Sequence, residues 1–189
     1  MSNIITVKLI GTLPLLVHSE RLANPLDPAA KKLKAITAKR KKTDDDLEAL
    51  SYAEFEGGLY HDDAIGPYIP VHAILALIRD GAKLTKQGKD ATRAILLSDT
   101  KIPIQYSGPR DVAGLWKKGF LDRRMVGNQK ARVLRTRPRF EMWSLEFVLQ
   151  FDESVFDRIQ IVSILKTAGR MVGLGDYRPT FGRFEVEIS

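Results

Sequence analysis

Arg135, Arg137 and Arg139 stand at alternate positions in RVLRTRPRF. Successive side chains of a strand point to opposite faces, so an extended backbone would present all three on one face. A guanidinium group matches the geometry of a phosphate and bonds it through two N–H groups. Such a row would form a track for a sugar-phosphate backbone. Arg132 and Lys130 extend the row if a kink or bulge intervenes, and Arg123 and Arg124 lie in the same basic stretch. Residues 121–139 hold seven basic residues against Asp122 alone. The plainer alternative is an edge strand guarded by charge against aggregation. The arginine density, with few acids between, favours the track.

A second basic run, KKLKAITAKRKK, spans residues 31–42 and has seven basic residues and no acid. Lys39, Arg40, Lys41 and Lys42 at its end would suit a mobile arm that closes over nucleic acid, or a solvated segment. Residues 43–63 reverse the sign, with eight acids and no lysine or arginine. Over the whole chain the formal charge is +7 and the pI about 9.6, which favours a polyanionic partner.

The stretch GLGDYRPTFGRF, residues 173–184, is a third feature. Glycine is needed where backbone takes a positive φ or approaches a ligand or strand closely. Gly173, Gly175 and Gly182 therefore mark a constrained loop. Arg170, Arg178 and Arg183 flank it. Tyr177 and Phe181 could stack on bases, worth about 1–3 kcal/mol per base. The alternative is a turn from helix to strand with its aromatics in the core. Tyr60 and Tyr68, near Gly57 and Gly58, read as packing residues.

Catalytic patterns are missing. His18, His61 and His72 form neither HxxxH nor HExxH, and no GxSxG, Walker A or dinucleotide fingerprint occurs. GLGD follows a helix and precedes a strand, the reverse of a dinucleotide loop. Asp44–Asp46 read as an acidic helix start and His61-Asp62-Asp63 as a solvated loop. No cofactor and no metal is expected. The chain has no cysteine, so disulfides and thiolate metal sites are excluded. No apolar run is long enough for a membrane span, and MSNIITVKLIG lacks the layout of a secretory signal. These features read as an intracellular, cytoplasmic protein without a membrane partner.

The elements that would position these residues follow from periodicity. NIITVKLI reads as a first strand. Residues 19–63 read as an insertion, with the basic arm and then a short helix capped by Thr43, with Asp46 at the capping-box position. In VHAILALIRDGAKL, Ile74, Leu75, Ile78 and Ala82 share a helix face. KIPIQY reads as a strand, held to an edge or bulge by Pro103. Residues 132–140 are extended. MWSLEFVLQF alternates strictly, with Trp143, Leu145, Phe147, Leu149 and Phe151 on one face. A last helix from about residue 154 to 172 ends at Gly173, and FEVEIS closes the chain as a strand. The order approximates βαββαβ, an α+β, ferredoxin-like or RRM-like core with an antiparallel sheet. One domain spans 1–189, with 19–63 inserted and 64–189 supplying the rest of the core.

In this setting GRMVGLGDYRPTFGRFEVEI resembles the glycine-rich signature of the RAMP superfamily of CRISPR systems. The shared pattern is small residues at a helix end, a Gly-x-Gly turn, then FGR entering a strand. The resemblance is nearest to the RNA-binding backbone subunit, whose palm carries a large insertion and which assembles side by side along a strand. It implies that Gly173, Gly175 and Gly182 shape the loop and that Tyr177, Arg178 and Arg183 line the bound strand. The endonuclease members use a histidine general base, and here no histidine stands near the loop. The chain is shorter than typical backbone subunits. Its layout is similar to that of small phage and prophage proteins, which implies a single-stranded DNA-binding role.

The expectation is a non-catalytic protein that coats single-stranded nucleic acid cooperatively, as a homo-oligomer or filament, on DNA in phage replication or recombination. The alternatives are a CRISPR RNA-binding backbone subunit, a phage inhibitor that binds a host complex, and a nuclease holding Mg²⁺ on Asp44–Asp46, Asp62 or Asp63. Alanine at Arg135 and Arg137 is expected to weaken binding and leave the melting temperature nearly unchanged.

Overall fold

The computed structural model describes residues 2–128 and 131–189. In chain order the first elements are β1 (Ser2–Gly11), β2 (Leu15–Leu16), α1 (Pro28–Thr37) and α2 (Asp44–Gly58). β3 (His61–Asp62), β4 (Gly66–Pro70), α3 (Val71–Lys83), α4 (Gly88–Ala94), β5 (Ile95–Leu97) and β6 (Lys101–Pro103) follow. Then come α5 (Val112–Lys117), β7 (Leu121–Asn128), β8 (Ala131–Phe140), β9 (Ser144–Asp152), α6 (Arg158–Thr167) and β10 (Phe184–Ile188). Between α6 and β10, Ala168–Val172 forms a π-helical turn. The fold is α+β, with antiparallel strand pairing.

The chain divides into two units. The first holds the residues up to Leu15, Tyr68–Ser107 and Glu141–Ser189; the second holds Leu16–Pro67 and Gly108–Phe140. The stretch 19–63, read as an insertion, lies within the first segment of the second unit. Residues 108–140 join it there, a long-range association with no local signature.

The first unit is built on a sheet of order β10-β1-β9-β5, antiparallel throughout. Counted along the chain, these four strands lie fourth, first, third, second. α3 and α4 connect the first two and α6 the last two, giving the βαββαβ order. Alternation decides the buried face. Ile5, Val7 and Leu9 of β1 pair with Leu149, Phe147 and Leu145 of β9, and all are buried. Each such side chain contributes about 1.5–3 kcal/mol on burial. Ile74, Leu77, Ile78 and Ala82 of α3 and Ile161, Ile164 and Leu165 of α6 complete the core. Leu75, placed on the α3 face by its spacing, is half-buried, and Leu77 takes that position.

The second strand of this sheet is β5, not KIPIQY. Three residues are too few to show alternation, so β5 left no period to read. Lys101–Pro103 instead pairs with Tyr68–Pro70, with Pro103 opposite Tyr68. The last helix is also shorter than its apolar pattern. It starts after an Asp157–Gln160 capping box and yields to the π-helical turn at Ala168.

The second unit packs α1, α2 and α5 with the β7–β8 hairpin. Thr43 and Asp46 form the expected capping box of α2. Phe55 and Tyr52 meet Trp116 edge-on, at centroid distances of 5.3 and 5.1 Å. Thr136, Phe140 and, between them, Pro138 form the buried side of β8. The basic run read as a mobile arm is instead α1 followed by the connection to α2. Asp27 caps α1 by accepting from the Ala29 N–H, and Pro28 sits in its first turn. Lys42 donates to the carbonyls of Thr37 and Lys39, and Lys39 pairs with Asp46 at 2.5 Å.

Candidate nucleic-acid interface

β8 carries the alternating arginines as expected, and the hairpin register adds their neighbours. Asp122 lies opposite Arg137, and Arg124 opposite Arg135. Directly opposed residues share a face, so Arg124, Arg135, Arg137 and Arg139 stand together with Asp122. Asp122 is buried. It accepts from Nε and Nη2 of Arg124, each at 2.5 Å, and from Nη1 of Arg139 at 3.4 Å. Arg135 donates to Oε1 of Glu54 at 2.5 Å, while Oε2 of Glu54 accepts the Thr136 N–H at 2.8 Å. Glu54 is also buried. Four arginines thus face two carboxylates, and the pairings fix the orientation of Arg124, Arg135 and Arg139. The face stays positive, but it is partly neutralised and rigid rather than a free row.

The other predicted residues of this region separate. Arg123 lies on the opposite face: its Nε donates to Ser51 Oγ at 2.9 Å, and its guanidinium sits 5.0 Å from the Trp116 ring centroid. Arg132 is exposed towards the hairpin end, opposite Gly127. Lys130 lies outside the described residues. Lys39, Arg40, Lys41 and Lys42 are exposed between α1 and α2.

The glycine stretch is a loop held by its own backbone. Gly173 closes the π-helical turn at φ 78°, donating to the Ala168 carbonyl. The Leu174 N–H donates to the Gly182 carbonyl and the Gly182 N–H to the Pro14 carbonyl, both at 2.8 Å. At Gly182 φ is 70°, and a Cβ would collide with the Leu174 carbonyl oxygen. The two limbs of the loop therefore cross at a spacing only glycine permits. Gly175 also has positive φ. The loop tip exposes Tyr177 and Arg178, with Tyr177 edge-on to Phe181 at 6.0 Å. Arg178 reaches Asp80 at 3.8 Å, a carboxylate that also receives Arg79 and Lys83.

The outward face of the four-stranded sheet differs in kind. Ile4, Leu96, Val148, Lys8, Glu146, Glu185 and Glu187 stand on it. An RRM binds RNA on aromatics of this face. Among the described residues there is none here, and the carboxylates repel phosphate.

This fold has a solved counterpart. A chain of the type III-B Cmr-beta complex, determined by cryo-EM bound to cognate target RNA, superposes with a TM-score of 0.54 at 12% identity. The match covers 99% of this chain and 60% of that chain, so the likeness is one of fold and spans part of the larger molecule. No family model and no curated protein matches the chain.

Two of the acidic candidates, Asp46 and Asp62, have structural partners. Asp46 accepts the Thr43 N–H, and Asp62 accepts the Ala64 N–H at 2.9 Å. The Lys39 ammonium, then the Thr43 N–H, hold the Asp46 carboxyl below its ordinary pKa. Among the described residues no group of three or more histidines and carboxylates could hold a metal ion, and no helix is long and apolar enough to cross a membrane. Sequence reasoning missed Glu54, Asp122 and Asp80 as partners of the arginines. Asp122 had a signal: it stands two residues before Arg124 and so shares its strand face. Glu54 and Asp80 reach Arg135 and Arg178 across 81 and 98 residues, and no spacing rule finds them.

Proposed function

We propose that the chain is a non-catalytic, single-stranded nucleic-acid-binding protein with a ferredoxin-like core of the RAMP type, and that its strand is RNA. The observation that carries this reading is the placement of charge. Arginines are fixed on one hairpin face and gathered at the glycine loop, while the open sheet face is acidic. Phosphate contacts from oriented guanidinium groups bind a strand without reading its sequence. The βαββαβ order and the loop between last helix and last strand support the RAMP reading. The Cmr-beta likeness, to a chain in an RNA-bound assembly, favours RNA over DNA. The phage single-stranded DNA role has no such support. Copies aligned along the strand would bind cooperatively. His61 is bonded through Nε2 to the Arg110 carbonyl.

The test is fluorescence anisotropy with labelled single-stranded RNA, single-stranded DNA and duplex of one sequence. Tightest, cooperative binding to RNA is expected. Equal or tighter binding to DNA would remove the RNA assignment, and no binding to any strand would overturn the reading. In that case the exposed Ile4 and Leu96, both paired with Gln150 on the acidic sheet face, would favour a protein partner instead.

A further inference from the structure

A cavity of about 500 Å³ opens in the first unit, where the π-helical turn passes β10 and the end of β1. Thr12, Lys166, Gly169, Arg170, Arg183 and Glu185 line it. Phe184 and Val186 give it an apolar floor. Its construction follows from the local sequence. Lys166 and Arg170 are four residues apart and project from the same side of the helix. A Cβ on Gly169 would collide with the Phe184 carbonyl oxygen, so the helix lies directly on the β10 main chain. Two successive residues of the sheet edge, Arg183 and Phe184, then bring a third cation and the floor to the same place.

The charge of this cavity is not balanced. Three cations line it, and among the described residues Lys166, Arg170 and Arg183 form no ion pair. Arg124, Arg135, Arg139 and Arg178, by contrast, each reach a carboxylate within 4 Å. Nε of Arg183 donates to the Pro179 carbonyl at 2.9 Å, which fixes the plane of its guanidinium. Like charges gathered without a partner repel, and a bound anion relieves the repulsion. The volume falls in the range of pockets that bury a small organic ligand, well beyond the needs of a bare phosphate. An apolar floor suits a sugar or base.

We infer that this cavity is a subsite for one nucleotide. Lys166, Arg170 and Arg183 hold its phosphate, and the Phe184–Val186 floor takes its sugar or base. The subsite deepens the strand-binding reading and rests on that reading for its natural ligand.

The test uses the whole protein labelled with ¹⁵N and titrated separately with uridine 5′-monophosphate, uridine and inorganic phosphate. The nucleotide is expected to shift the amide signals of Gly169, Arg170 and residues 183–186 saturably, at least tenfold more tightly than either fragment. The double variant Lys166→Gln, Arg170→Gln changes two exposed side chains and should weaken this binding at least tenfold. Arg183→Gln is a second, independent probe should the first fail to fold. Equal affinity for phosphate alone would overturn the nucleotide assignment. Absence of shifts at these amides while labelled RNA still binds would also overturn it and leave the strand-binding reading intact. Nucleotide binding here without any binding of RNA would sustain the subsite and sink that reading.

Discussion

Two basic regions of this protein are built on opposite terms. On the β7–β8 hairpin, Arg124, Arg135 and Arg139 lean on Asp122 and Glu54, carboxylates that are themselves buried. At the cavity beside β10, Lys166, Arg170 and Arg183 converge without a carboxylate partner among the described residues. Paired arginines are oriented, and removing either partner strands a charge in a poorly solvated place. Unpaired cations on a rim contribute little to folding and are available to a ligand. A basic patch read from sequence thus mixes two populations, and only one can be mutated without cost to the fold.

The largest effect should come from breaking the paired population. Glu54→Ala strands Arg135 and leaves the Thr136 N–H without its acceptor, and should lower stability by about 3 kcal/mol in urea unfolding. For the same reason, alanine at Arg135 and Arg137 should lower the melting temperature, by about 2–4 °C for each kcal/mol lost. Sequence alone counted this pair as a surface change. An unchanged melting temperature would erase the distinction between the two regions.

The unpaired population should behave in the reverse way. Lys166→Gln with Arg170→Gln should weaken single-stranded RNA binding about tenfold, the loss of two phosphate contacts, and shift stability by no more than about 0.5 kcal/mol. Anisotropy and thermal melts on one preparation would check both.

Arg178 sharpens the contrast because it lies between the two classes. It is exposed and reaches Asp80 at only 3.8 Å. Arg178→Ala should weaken RNA binding about threefold and leave stability within about 0.5 kcal/mol, since such pairs contribute little.

Much of the first unit was legible because alternation in β1, β9 and β10 and helical spacing in α3 and α6 are local signals. The strand bearing Arg135, Arg137 and Arg139, the capping box of α2 and the positive φ of Gly173, Gly175 and Gly182 were legible for the same reason. β5 was not, being too short to have a period. Nor was the union of 108–140 with 16–67 in one unit, which depends on contacts far apart in sequence. The sites divided likewise. Arginine spacing showed the rows, but whether a row was neutralised depended on Glu54 and Asp80, which only folding brings near. The glycines were read as marking positive φ or a close approach to a ligand or strand, and Gly182 has the positive φ and lies close against Leu174 of its own loop.

The smallest effect is a pH dependence at the α1–α2 connection. Asp46 has a folded pKa below its ordinary value, chiefly through Lys39 and then the Thr43 N–H. A depressed carboxylate stabilises the fold above the ordinary pKa of about 3.9 and loses that contribution as pH falls towards the folded value. Asp46→Asn should therefore flatten the acid limb of a stability profile below about pH 4 and leave Lys39 unpaired at neutral pH. An unaltered acid limb would remove Asp46 from the account.

The central claim is that cations on this chain bind a nucleic-acid backbone. Its most direct test is the salt dependence of the binding constant for single-stranded RNA. Counterion release predicts a linear fall of log K with log salt, at about −0.7 per neutralised phosphate, and a shallower slope for the Lys166→Gln, Arg170→Gln variant. A slope near zero in the wild-type protein, or no binding at low salt, would contradict it.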